Sequence, residues 1–153
     1  MEGIEITARI YISGPISGLD REEYLRRFNA AEQALRKEGY INIVNPTRLL
    51  PCRFPSLYKL LGYRITLFYD LWVLTRCQRI YKMPGWRASR GAQIESCVAY
   101  HFGVWTIGNE LCEKIDAAVG GEDVAPANIQ INASLQQRYS KSNKPKHKKH
   151  TGL

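Results

Sequence analysis

Ala8-Arg9-Ile10-Tyr11-Ile12-Ser13 runs straight into Gly14-Pro15-Ile16-Ser17-Gly18, and this junction constrains the fold more than any other feature of the chain. The apolar run has the residue types of a strand, and two glycines and a proline must end it. Asp20 followed by Glu23 is a capping-box pattern. Tyr24, Phe28, Ala31 and Leu35 then recur at helical spacing as far as Gly39, a natural C-terminal stop. Strand, glycine turn and helix in that order begin a unit that sets parallel strands side by side with a helix between them.

The alternation continues down the chain. Tyr40 to Val44 predicts a second strand ended by Asn45-Pro46, and residues 47–56 hold two more prolines and read as a loop. Leu57 to Arg76 is dense in Leu, Tyr, Phe and Trp and predicts a long, mostly buried helix, with Gly62 its one glycine. Arg79 to Lys82 lies where a buried strand belongs. Ser89 to Phe102 predicts a helix, Val104 to Ile107 a strand, and Leu111 to Val119 a last helix. The expected architecture is a single small doubly wound α/β domain, Rossmann- or flavodoxin-like, over residues 1–133, with a mainly parallel sheet of about five strands.

A chain of 153 residues is long enough for one such core and too short for two. Its net charge of +8 is misleading, because Arg138, Lys141, Lys144, Lys146, Lys148 and Lys149 fall in the last sixteen residues, which contain no acid. Removing those six leaves 16 basic against 14 acidic side chains. Residues 134–153 have almost nothing to bury and read as a disordered Lys-rich tail, either solubilising or making weak nucleic-acid contacts. No run approaches a membrane span, and Met1 to Thr7 lacks the basic start and apolar run of a signal peptide, so a cytoplasmic protein with no membrane partner is expected. Cys52, Cys77, Cys97 and Cys112 are irregularly spaced and read as reduced structural thiols rather than zinc ligands.

In an open parallel sheet, ligands bind outside the carboxyl ends of the strands, which directs attention to three segments. In Tyr11 to Gly18 the glycines let backbone N–H groups approach a ligand, although a plain tight turn has the same composition. In Pro84 to Glu95, Ser89 is a good N-cap and Gly91 leaves the first helical turn bare, a ready anion site. Glu95 there shares a helix face with Ala92 and Ala99. It either reaches solvent at a helix edge or is held for chemistry. The third segment carries Asp70, in line with Tyr63, Leu67 and Leu74. It either pairs with Arg64 or Arg76, or is desolvated and protonated, which suits a general acid.

Tyr-x-x-Gly-x-Ile-x-Gly at Tyr11 to Gly18, Asp70 on the second helix, and Pro-Gly-Trp-x-x-Ser-Arg-Gly-Ala-x-x-Glu at Pro84 to Glu95 together resemble the nucleoside 2-deoxyribosyltransferase-like family, over residues 8–107. The resemblance implies cleavage of an N-glycosidic bond, by hydrolysis or by transfer to another base, through a covalent glycosyl intermediate on Glu95. By position Glu95 matches the nucleophile, Asp70 the acid near the base, and Tyr11 the tyrosine that orients the nucleophile. Ser13, Gly14, Ile16, Gly18, Trp86, Ser89, Arg90 and Gly91 are the matching substrate-binding positions. Serine at position 89, where relatives acting on free nucleosides carry an acid, implies a nucleoside 5′-monophosphate, since a carboxylate there would repel phosphate. The resemblance calls for no metal or other cofactor and implies a homodimer or higher homo-oligomer. The chain departs from the family pattern at Gln78-Arg79-Ile80, where relatives have an Asp-x-Ile-like context. That departure favours the alternative, a non-catalytic nucleotide-binding or sequestering protein using the same pocket.

Overall fold

The computed structural model of the protein describes residues 7–50 and 53–120, the side chain of Tyr58 excepted. The domain boundary expected at residue 134, the tail after it, and Cys52 lie outside the described residues. Four strands, β1 (Ile10–Ser13), β2 (Ile43–Val44), β3 (Arg79–Lys82) and β4 (Trp105–Thr106), form an all-parallel sheet in the order β2-β1-β3-β4. Four α-helices connect and cover it: α1 (Arg21–Lys37), α2 (Pro55–Leu74), α3 (Arg90–His101) and α4 (Asn109–Val119). The doubly wound α/β class holds. The sheet has four strands among the described residues rather than about five, and the outer strands are shorter than expected because only two residues of each join a ladder.

β1 lies in the middle of the sheet, and its four residues are all buried. Because strand side chains alternate, it divides the core in two. Ile10 and Ile12 pack with Phe28, Ala31 and Leu35 of α1 and with Ile115 and Val119 of α4. Tyr11 faces the other way, packed with Val73 and Leu74 of α2, Ile80, and Ala99 of α3. Both faces of the sheet are thus covered, which is why β1 reads as an apolar run as far as Ser13. The Tyr81 hydroxyl ties α4 down by donating to Asp116 Oδ1 at 2.6 Å.

The caps fall where the side chains allow. Asp20 accepts the Glu22 N–H to start α1, and Ser89 accepts the Ala92 N–H at 3.4 Å to start α3. α2 departs from expectation in two ways. Gly62 sits at φ 77°, ψ 165°, outside helical geometry, so residues before it form a separately aimed segment. A residue with a Cβ resists that conformation. Nor is the helix mostly buried: Thr66, Asp70, Val73 and Leu74 are covered, whereas Leu60, Ile65, Phe68 and Trp72 are exposed, Phe68 by 74%. The helix covers the sheet with one face and leaves those four apolar side chains uncovered by the described residues. No helix among those residues is long and apolar enough to cross a membrane.

Candidate active site

β1 leads to β2 on one side of the sheet, while β3 pairs with it on the other, so the strand order reverses beside β1. Crevices at the carboxyl ends of such strands are where ligands enter open α/β sheets. Three elements deliver carboxyl or hydroxyl groups to this crevice. β1 supplies Tyr11 and Ser13, two residues apart and therefore on one face. α3 supplies Glu95, six residues beyond its Ser89 cap and on the same helix face as Ala92 and Ala99, all three buried. α2 supplies Asp70.

Glu95 is 7% exposed, so it does not reach solvent at a helix edge. The Tyr11 hydroxyl donates to its Oε1 at 2.8 Å, and the Ser13 hydroxyl donates to its Oε2 at 2.6 Å. Burial pushes the Glu95 carboxyl up to about 7, against the pull of those two donors, which favour the ionised form. The Tyr11 phenol is raised well above its ordinary value by burial and then by the adjacent Glu95, so it stays a donor.

Asp70 is 6% exposed and has no ion pair among the described residues; of the two arginines weighed as partners, Arg76 lies 3.8 Å over the Trp72 ring. Its Oδ1 is buried without any hydrogen-bond partner. Burial, and next the charge of Glu95, push the Asp70 carboxyl up to about 8. Two carboxyl groups thus face one site, both with raised proton affinity and Asp70 the higher of the two. Glu95, held by two hydroxyl donors, ionises first, and Asp70, with no donor to stabilise its charge, keeps its proton. Environments that separate a pair of acids in this way assign one as nucleophile or base and the other as proton donor.

Both carboxyl groups line one cleft of about 450 Å³ of open space, together with Gly14, Ile16, Ser17, Ser89 and Gly91. At one end the α3 terminus offers its unpaired first-turn N–H groups, with Ser89 and Gly91 in the wall. Tyr63, which enters the sequence reading only as a neighbour of Asp70 on a helical stripe, also lines this end. Its hydroxyl lies 3.1 Å from where a Cβ on Gly91 would stand. Gly14 lies close against the residue that follows β3: a Cβ there would come 2.2 Å from Met83 Cε, so the flexible end of that side chain would have to move, and 3.1 Å from its Cβ.

Not every expected substrate contact lines the cleft. Ser13 is fully buried, and its hydroxyl is spent on Glu95, which makes it a positioning residue rather than a substrate ligand. Gly18, Trp86 and Arg90 stay outside the lining. Trp86 instead stacks beneath Lys82 and Arg87, with cation-to-ring distances of 4.6 and 5.2 Å. Gln78 also proves remote from the chemistry. Its Oε1 accepts the Arg9 N–H at 2.7 Å just before β3 begins, the opposite end of the sheet from Glu95. Its departure from the family pattern therefore concerns the amino-terminal end of β3 and not the cleft.

Tyr11→Phe removes one of the two donors on Glu95 and leaves the ring packing in place. The acidic limb of any activity profile is expected to move to higher pH, because the Glu95 carboxylate loses a stabilising hydrogen bond, and kcat/KM is expected to fall by roughly 10- to 100-fold. A pH–rate series on both proteins checks it, and an unmoved acidic limb would refute the assignment of Tyr11.

Fold and site together define an α/β domain with two buried carboxyl groups facing one cleft at the switch point of a parallel sheet. The family model that matches the chain, over residues 8–107, is described as Domain of unknown function (DUF4406), and the chain belongs to that family. No curated protein and no solved structure matches it.

Proposed function

We propose that the protein cleaves the N-glycosidic bond of a (deoxy)nucleoside 5′-monophosphate, with Glu95 as nucleophile and Asp70 as general acid. The observation that carries this reading is the pair itself: a carboxylate oriented by Tyr11 and Ser13, and an unpartnered acid facing the same cleft. Departure of a base from C1′ leaves positive charge on the sugar, which a carboxylate beneath the ring stabilises before bonding to it, as in retaining glycosidases. One Glu95 oxygen forms a bond to C1′ as the C1′–N bond breaks. The bonding pair goes to the base nitrogen, which takes the Asp70 proton. Water or a second base then opens the glycosyl ester, and its proton returns to Asp70. No step in this series requires a metal or redox group.

The anionic end of the substrate belongs at the α3 terminus, where Ser89 brings a hydroxyl rather than a competing carboxylate. Incubation with a panel of ribo- and deoxyribonucleoside monophosphates, followed by chromatography of free base, tests the reading. Release from at least one member supports it, and a competing free base incorporated into product marks a transferase. Tight binding with no release from any member would replace it by a silent nucleotide binder. The exposed face of α2 that carries Ile65, Phe68 and Trp72 is an apolar patch of the kind that mates with another chain, and we place the homodimer contact there. Light scattering reads this directly as twice the 17.5 kDa chain mass, and a monomeric mass sinks it.

A further inference from the structure

A second, wider cleft of about 780 Å³ of open space adjoins the first, and the two share Ile16 and Ser17. Its other walls are Arg21 and Tyr24 of α1, Thr47 from the turn after β2, and Pro55 and Lys59 from the start of α2. The break at Gly62 gives the Pro55–Lys59 segment its own direction, so that it can close this cleft while the rest of α2 covers the sheet. The Thr47 wall is fixed. Its hydroxyl donates to Asn45 Oδ1 at 2.7 Å, and Asn45 Nδ2 donates to Glu32 Oε2 at 3.0 Å, with Arg48 Nε 3.1 Å from the same oxygen.

The cleft holds two cations and no acid. Neither Arg21 nor Lys59 has a carboxylate partner among the described residues; of the acids at the start of α1, the cap Asp20 accepts the Glu22 N–H, Glu23 holds Arg26 at 2.8 Å, and Glu22 is not part of the cleft wall. Two cations from different helices, with no carboxylate partner among the described residues and an aromatic ring beside them, suit a flat anion. Position says which part of a substrate this is. With the sugar at Glu95 and its phosphate toward Ser89 and Gly91, the second cleft, reached past Ile16 and Ser17, is open to the far edge of the departing base.

We propose that this second cleft receives the leaving heterocycle and that Arg21 and Lys59 select bases carrying an acidic substituent, the heterocyclic carboxylates to which orotate and nicotinate belong. The inference rests on the glycosidic reading and deepens it. The electron pair that moves onto the base as the C1′–N bond breaks takes up the Asp70 proton, so the charge that Arg21 and Lys59 meet in this cleft is that of the base's own acidic substituent.

Orotate against uracil and nicotinate against nicotinamide form pairs that differ chiefly in the carboxylate, and each can be titrated into the full-length protein by calorimetry. The acid of each pair is expected to bind about tenfold more tightly at low salt, with the preference shrinking as salt is raised and disappearing in the Arg21→Ala/Lys59→Ala variant. Equal affinities within each pair, or a preference that survives the double substitution, overturn the proposal. The failure of the underlying reading looks different: no nucleoside monophosphate loses its base, although the acids still bind through Arg21 and Lys59.

Discussion

Glu95→Gln is expected to leave the protein folded and able to hold a nucleoside monophosphate, while base release falls by roughly 10⁴-fold or more, the scale seen when a covalent nucleophile is removed. Glutamine keeps the side chain's shape and can accept one of the two hydroxyl hydrogen bonds, but it cannot form the glycosyl ester. Glu95→Ala is the harsher change. It strands the Tyr11 and Ser13 hydroxyls in the core, which costs about 1–3 kcal/mol for each left unsatisfied, so its lost activity would be confounded with lost stability. Free base by chromatography, nucleotide affinity by calorimetry and a melting curve separate these effects. Base release within tenfold of the wild type would remove Glu95 from the role assigned to it.

Asp70→Asn is expected to act on activity and stability in opposite directions. Without a proton donor, release of an ordinary base should fall by roughly 10²- to 10⁴-fold, whereas an activated leaving group that departs as an anion should be nearly unaffected. The wild-type kcat/KM should rise with pH as Glu95 ionises near 7 and fall as Asp70 ionises near 8, giving a narrow maximum whose limbs belong to the pair. The variant should lose the alkaline limb. For stability the sign follows from the upward direction of the change. The folded-state value of about 8 lies above the ordinary 3.8, so the folded protein is favoured at low pH and loses that advantage as pH rises toward 8. The wild type is therefore expected to melt at lower temperature at pH 8.5 than at pH 5. Asp70→Asn should be the more stable of the two at the higher pH, by up to about 6 kcal/mol, since every tenfold difference in proton affinity between folded and unfolded chain corresponds to about 1.4 kcal/mol. A variant that retains the alkaline limb, or gains no stability at pH 8.5, contradicts a buried protonated Asp70.

These effects depend on a site whose members are unequally visible in the sequence. Glu95 and Asp70 stand out because each is a charge on an otherwise apolar helical stripe, and Ser89 and Gly91 because capping chemistry is local. Ser13 attracts notice for the wrong reason. As a residue of the glycine turn it reads as a substrate contact, whereas β1 turns it to the same face as Tyr11, and the two hydroxyls divide the oxygens of Glu95 between them. Arg21 and Lys59 carry no signal at all. One is an ordinary first residue of a helix and the other a basic residue near a helix start, and they share a cleft only because the chain bends at Gly62.

Read in order, the residues establish the succession of strands and helices, the glycine turn after β1, the cap of α3 and the two conspicuous acids. All of these are settled by interactions within a few residues: propensity, periodicity, capping and the freedom of glycine in tight turns. Packing in three dimensions is what selects the hydroxyls that hold Glu95, leaves Arg21 and Lys59 without carboxylate partners among the described residues, exposes an apolar face of α2, and puts Gln78 at the far end of the sheet. Such facts depend on the register of parallel strands and the packing of crossover helices. Those bring together side chains as far apart as Tyr11 and Glu95, 84 residues along the chain, and no local window contains both.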